Sequence, residues 1–334
     1  MSDLLKNIDA RTRLAGTNKL EILLFTLGLD QRTGRRETFG INVFKVREVM
    51  RTPAITAAPE MPSSVEGMVS LRGVLVPVVD LAKYVGVGEK GARDIMIVTE
   101  YNGHTQGFLV EAVDTILRLD WSQMRVPPDM LTANMGGLVT AVTELEGNTL
   151  VMLLDVEKVL SETTKYDDSS HLFKDIKPIP DAERYMVVFA DDSSVARKQI
   201  MQTLDLIGVR YIGAVNGRQA WGELEKIANQ CAAANTKVSD TVSLVLTDVE
   251  MPEMDGYILT RHVKSDPRFQ GVPVVMHSSL SGISNQQLGI SVGVDEYVPK
   301  FEPQRLSQTL RRLILGEQKP AGDIAPEAAT AGQQ

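Results

Sequence analysis

From Tyr185 to Leu315 the chain repeats one pattern: a short apolar run of strand length, a polar turn, then a stretch with apolar residues at helical spacing. The strand-like runs are Met186–Phe189, Val209–Val215, Val242–Leu246, Val272–Met276 and Glu296–Val298. The helical stretches are Ser193–Ile207, with Val195, Ile200, Leu204 and Ile207 close to one face, then Gly217–Asn235, Tyr257–Lys264, Asn285–Val292 and Gln304–Leu315. No other feature constrains the fold as much. Strand–helix units in series build a parallel sheet, and such a sheet has to be covered on both faces. The second half is therefore expected to be an α/β doubly wound (βα)5 domain.

The first half is written differently. Leu20–Leu27 is a strand-length apolar run, and Thr38–Val49 alternates around Phe39, Ile41, Val43 and Val46 as a strand would. Asn102-Gly103 separates Arg93–Tyr101 from Gly107–Val110, a strong hairpin signal because a type I′ turn needs positive φ at both central residues. A second hairpin is expected from Val139–Thr143 through Glu146-Gly147-Asn148 to Leu150–Leu154. There is also a faint internal repeat. Val76–Tyr84 and Leu150–Val159 each run from a strand into an aspartate, Asp80 or Asp155, able to cap a following short helix. Many short strands with frequent turns and an internal repeat point to two similar β subdomains, barrel or sandwich.

At 334 residues the chain is long enough for about two domains. The polar stretch from Ser161 to Ala182, with Pro178 and Pro180, reads as the linker between them. The expected layout is an N-terminal helix or arm at 1–17, a β domain at 18–163, a linker at 164–183, the α/β domain at 184–317 and a disordered tail at 318–334. No apolar run approaches the roughly 18 residues of a membrane helix, and Met1–Leu14 has no signal-peptide core. The net charge of −8 argues against nucleic acid or anionic lipid as a partner. The lone Cys231 excludes a disulfide framework and points to the cytoplasm, where it is expected to pack as a small hydrophobe. His104, His171, His262 and His277 have no ligand spacing, so no histidine metal site is expected.

The chemistry sits where a doubly wound sheet places it, beyond the carboxyl ends of its strands. Asp191 and Asp192 follow the first strand of the second half and Asp248 the third; Ser278 follows the fourth and Lys300 the last. Single acidic residues at strand ends are usually helix caps or solvated loop residues, but the whole ordered set has another use. Neighbouring carboxylates repel, and a hard divalent cation such as Mg²⁺ relieves the repulsion while also binding a phosphate. A carboxylate nucleophile, a metal, a lysine and a hydroxyl compose a phosphoryl-transfer site with an aspartyl phosphate.

Residues 185–315 resemble a response-regulator receiver domain. Asp191-Asp192 is similar to its acidic pair, and Asp248-Val-Glu-Met-Pro-Glu-Met-Asp-Gly256 to the loop that begins with its phosphoacceptor. Ser278 stands at the Ser/Thr position, Tyr297 at the switch aromatic and Lys300 at the lysine, with matching spacings. The resemblance implies Asp248 as 4-aspartylphosphate, Ser278 and Lys300 as its partners, and Tyr297 as the switch. It implies Mg²⁺ on Asp191, Asp192, Asp248 and the backbone carbonyl of Glu250. One departure is Pro299-Lys300-Phe301, where the family has Lys-Pro. A second is the longer gap before Asp248, with extra residues in Gln230–Asp240.

Residues 18–163 resemble the CheW family. The resemblance rests on Glu66–Leu81, containing Leu71-Arg72-Gly73 and Pro77-Val-Val-Asp80-Leu81, and on Gly40–Met50. It implies a mostly-β double β-barrel in which Glu48 and Arg72 face chemoreceptor and kinase. A CheW-like module followed by a receiver resembles the CheV type of chemotaxis coupling protein. The implied function is a phosphorylatable adaptor at cytoplasmic receptor arrays, linking methyl-accepting chemoreceptors to the histidine kinase CheA, without membrane insertion and without enzyme turnover. A receiver acting only as a phosphate sink for CheA is the alternative. A haloacid-dehalogenase-type Mg-dependent phosphatase fits less well, because it requires a second Asp two residues after the nucleophile, where this chain has Glu250. Too few residues follow Leu315 for a helix-turn-helix, and the chain lacks a kinase ATP-binding motif.

Overall fold

The computed structural model describes residues 19–30, 33–87, 92–101, 104–145, 147–163, 173–278, 289–300 and 302–317. The N-terminal arm, the terminal tail, the Asn102-Gly103 turn and the first part of the linker lie outside them.

Among the described residues the β half has ten strands in two sheets. Five belong to one sheet: β1 (Lys19–Thr26), β2 (Thr38–Asn42), β8 (Ala112–Asp120), β9 (Val139–Leu145) and β10 (Thr149–Leu154), in the order β8-β1-β2-β10-β9. Five more, β3 (Val46–Arg51), β4 (Val65–Leu71), β5 (Val74–Asp80), β6 (Ile95–Tyr101) and β7 (His104–Val110), form the other in the order β3-β6-β7-β5-β4. The two have one topology. In each, a hairpin (β4–β5 or β9–β10) joins by its second strand a parallel neighbour (β7 or β2), beyond which lie two antiparallel strands. Each sheet also closes on itself through an isolated bridge, Thr56 to Met68 in one and Arg125 to Val142 in the other. The internal repeat is thus two barrels, and the second-named sheet is a continuous insertion within the first.

Alternation explains the unbroken apolar runs. Along β1, Leu20, Ile22 and Leu24 fill the interior of their own barrel. Leu23 and Phe25 point the other way, into a core shared between the barrels with Phe39, Ile97 and Phe108. Val76, Val78, Met96 and Val98 fill the second barrel. Asp80 and Asp155 cap the short helices α1 (Leu81–Val85) and α3 (Val156–Thr163), Oδ1 of each accepting two backbone N–H bonds. A further helix, α2 (Asp129–Asn134), precedes β9.

One expectation is corrected. Thr38–Val49 is not one strand. The Asn42 side chain accepts a bond from Phe44 N, which ends β2 and starts a 3-10 turn at Val43–Lys45. The chain leaves that turn in the other barrel.

The α/β half has a parallel sheet ordered β12-β11-β13-β14-β15, from β11 (Met186–Ala190), β12 (Arg210–Ala214), β13 (Leu244–Thr247), β14 (Val274–Ser278) and β15 (Glu296–Pro299). Helices α4 (Ser194–Ile207) and α7 (Pro303–Leu315) cover one face, packing Leu204, Ile207, Leu306 and Leu310 on Val187, Phe189, Leu244 and Leu246. Helices α5 (Gly217–Ala234) and α6 (Gly256–Ser265) cover the other, packing Leu224, Ala228, Leu259 and Val263 on Val188, Val245 and Val274. Cys231 is buried in α5, as expected. Residues 279–288 lie outside the described set, so of the helix expected at Asn285–Val292 only its end is seen. Within the stretch read as a linker, Ile179 is buried on this domain, its N–H bonded to the Ile207 carbonyl. Among the described residues no helix is long and apolar enough to cross a membrane.

Phe39 carries the shared core into the strand that ends at Asn42: it is buried and stacks on Phe25 at 6.1 Å. Phe39→Ala should lower the stability of the β half by about 3–5 kcal/mol. Urea titration monitored by circular dichroism, with wild type alongside, is the check; a shift below about 1 kcal/mol would contradict this packing.

Candidate functional site

The sheet order reverses between β11 and β13, since β12 lies on one side of β11 and β13 on the other. Asp191 and Asp192 leave the end of β11, and Asp248 leaves β13. A carboxylate oxygen from each of the three lies within 4.8 Å of the others. Lys300, just past β15, is buried with them. Its Nζ lies 2.8 Å from Asp191 Oδ2 and 2.9 Å from Asp248 Oδ2. Backbone donors fix the other oxygens: Ser193 N–H bonds Asp191 Oδ1 at 2.9 Å and Val249 N–H bonds Asp248 Oδ1 at 2.7 Å. Arg197 Nη1 holds the loop below by donating to the carbonyls of Asp191 and Asp192.

Burial dominates the electrostatics. It pushes Asp248 up to about 6 against the opposing charge of Lys300, and it raises Asp191 against the same lysine. Burial and then the charge of Asp248 hold Asp192 well above the usual carboxylate range. Burial alone would lower the Lys300 ammonium; Asp191 and Asp248 outweigh it and hold the lysine well above its ordinary value. Three converging hard oxygen donors, each disfavoured as a buried anion, are a donor set suited to Mg²⁺.

Ser278 ends β14 and lines the same pocket as Asp192, Asp248, Glu250 and Lys300. Tyr297, half-buried on β15, is hydrogen-bonded with Ser278. His277 is a buried strand residue, and burial presses its imidazole down to about 3, so it is neutral. The structure thus gathers Asp191, Asp192, Asp248, Ser278 and Lys300, with Tyr297 alongside.

Glu48 and Arg72 also meet, but elsewhere. Arg72 and Gly73 both have positive φ and make the two-residue turn between β4 and β5. Arg72 Nη2 lies 3.1 Å from Glu48 Oε2, so one edge strand of the second barrel reaches the hairpin at the other. The exposed Val74 and Leu75 flank that turn.

Sequence reasoning missed the residues that the β half brings to the acidic pocket: Asn42, Lys45, Trp121, Asp155 and Glu157. Lys45 Nζ lies 2.9 Å from Glu157 Oε1, both largely buried. The only local signal was Asn42, a turn former inside an alternating run; Asp155 was visible solely as a cap.

Comparison with known proteins matches both halves of the chain. Residues 21–164 match the CheW-like domain and residues 187–311 the response regulator receiver domain. The chemotaxis protein CheW of Klebsiella aerogenes is 31% identical, over 45% of this chain and 87% of its own length. The chemotaxis protein CheY1 of Helicobacter pylori is 35% identical, over 39% of this chain and 96% of its own. Both likenesses occur in order in one relative, the chemotaxis protein CheV1 of Helicobacter pylori, 29% identical over 94% of this chain and 99% of its own length. The chain is a CheW-like domain followed by a response regulator receiver domain, the CheV-type arrangement. As a CheV-type fusion it is a chemotaxis coupling adaptor with a receiver domain, and the mostly-β and (βα)5 architectures are those of CheW-like and receiver domains.

The loop from Asp248 to Gly256 closes on Asp255-Gly256 for a capping and a steric reason. Asp255 caps α6 by accepting from Ile258 N–H. A Cβ on Gly256 would stand 2.0 Å from the Asp248 carbonyl oxygen, a backbone atom that cannot swing aside. Gly256→Ala should displace the Asp248 loop and cost roughly 1–3 kcal/mol, as overpacking does. Thermal unfolding reads the cost, and an unchanged melting temperature would show that the loop yields freely.

Proposed function

We propose that this protein links chemoreceptors to the histidine kinase CheA through its CheW-like domain, and that phosphoryl transfer to Asp248 regulates the link. The observation that carries the reading is the bridging position of Lys300 between Asp191 and Asp248, with Ser278 on the same pocket. Asp191, Asp192 and Asp248, with the Glu250 carbonyl, would hold Mg²⁺. Bound there, Mg²⁺ supplies positive charge against the transferring phosphoryl oxygens.

The chain's own groups do the rest. Val249 N–H and Lys300 orient the Asp248 carboxylate. One of its oxygens attacks phosphorus as the P–N bond to the kinase's phosphohistidine breaks and the imidazole leaves. Lys300 then pairs with a phosphoryl oxygen, and the Ser278 hydroxyl donates to another. Moving Ser278 loosens its bond to Tyr297, whose turn inward changes the surface around β15. On the β half, Glu48, Arg72 and the exposed apolar pair Val74 and Leu75 form the face offered to kinase and receptor.

Incubation with acetyl phosphate and Mg²⁺ should add one phosphoryl group to wild type and none to Asp248→Ala; full labelling of that variant would refute the assignment. Asp192→Ala should weaken Mg²⁺ binding and labelling together. In a reconstituted receptor–kinase–adaptor mixture with phosphodonor, wild type and Asp248→Ala should differ in kinase activity by roughly 5-fold or more. Equal activity and equal array binding would instead favour the passive phosphate sink.

A further inference from the structure

The acidic pocket of the receiver is covered by the CheW-like domain. The space left there for a water-sized group is only about 20 Å³, and its wall is shared. The receiver supplies Asp192, Asp248, Ser278 and Lys300; the β half supplies the turn carrying Asn42 and Lys45 and the start of α3 with Asp155 and Glu157. A cavity of that size holds about one water molecule. With Asp248 buried, that space is too small to seat a phosphohistidine or acetyl phosphate beside it.

The cover is made by specific contacts. The Asn42 side chain hydrogen-bonds Glu250. The Ser193 hydroxyl, which caps α4, meets Asp155 and Glu157. Glu253 N–H donates to the Trp121 carbonyl at 3.2 Å. Gly137, in the loop before β9, faces Ser194 on the first turn of α4. Lys45, paired to Glu157, lies within the field of Asp192. Charged groups at the exit of β10 and the head of α3 are buried here because the receiver sits on them, since charged residues are almost never fully buried unless paired.

We propose that this docking is a gate: phosphorylation of Asp248 and seating of the CheW-like domain on the receiver exclude one another. This rests on Asp248 being the phosphoacceptor. Two effects act in the same direction. The phosphoryl group needs volume that the closed cavity lacks. It also adds negative charge where Asp155, Glu157, Asp191, Asp192, Asp248 and Glu250 already converge on Lys45 and Lys300. By linkage, whatever favours docking disfavours the phosphorylated state, and phosphorylation disfavours docking by the same factor in the equilibrium constant. Arg72 is 72% exposed in the seated state, so the face carrying Glu48 and Arg72 is open while the gate is shut.

A disulfide across the contact tests this in the full chain. A Cβ at position 137 would lie 3.9 Å from that of Ser194, within the usual disulfide range. Gly137→Cys/Ser194→Cys should cross-link under mild oxidation, whereas each single variant should not. The oxidised protein should take label from acetyl phosphate and Mg²⁺ at least about 5-fold more slowly than wild type, and reductant should restore the rate. Lys45→Glu, which adds a carboxylate to the cover, should instead label faster than wild type. A double variant that folds but does not cross-link, a locked protein that labels at the wild-type rate, or a Lys45→Glu protein that labels no faster would each overturn the gate. If the reduced and wild-type proteins take no label at all, the phosphoacceptor reading fails and the gate with it. Cross-linking yield reads the docking independently of that outcome.

Discussion

The site is organised by one ammonium group that has left water. Lys300 is buried between Asp191 and Asp248, and without it the two strand ends would bring uncompensated carboxylates together. Stripping one partner from a buried ion pair typically costs about 3–5 kcal/mol, far more than a surface pair is worth. The lysine thereby ties the last strand of the receiver to its first and third. Its offset is incomplete, since Asp248 and Asp192 are still held above their ordinary range, chiefly by burial. A site left short of positive charge in this way is suited to a divalent cation and to a phosphoryl group that arrives with one.

Much of this was legible in the sequence because the relevant constraints are local. Parallel strands buried on both faces must be continuous apolar runs, so Met186–Phe189 and Val272–Met276 announced themselves. Strand ends are where a doubly wound sheet binds ligands, which singles out Asp191, Asp248 and Lys300 from the sequence alone. The repeat around Asp80 and Asp155 reflected two barrels of one topology. The break at Val43–Lys45 was hidden, because apolar residues keep their alternation through the turn while the backbone changes sheet. Lys45, Asp155 and Glu157 stayed invisible as site residues for a different reason. Nothing in a strand or a helix cap says which other domain will rest on it.

The two barrels divide their labour. One sets its β4–β5 turn, with Arg72 against Glu48, outward beside exposed Val74 and Leu75. The other turns Trp121, Asp155 and the Asn42 turn toward the receiver. The same strand order, used twice, gives one chain an outward face and an inward face without a new fold for either. The shared core of Phe25, Phe39, Ile97 and Phe108 packs the two barrels against each other.

The nesting of one barrel inside the other has a consequence for how the chain is made. Strands β3 to β7 are consecutive, so that barrel can close while the ribosome is still producing the C-terminal part of the chain. Its host cannot: β2 pairs with β10, and the partner lies a hundred or so residues downstream. Loop closure over such a span has to await β10, and long-range strand pairing is slow. During synthesis β1 and β2, paired with each other, therefore wait with the β2 edge open, the part of the nascent protein most open to mispairing. The turn bearing Lys45 is anchored on both sides only when that edge is finally paired. The inserted barrel, with Arg72 at its tip, is mature first, and the surface that meets the receiver is the last of the β half to be completed.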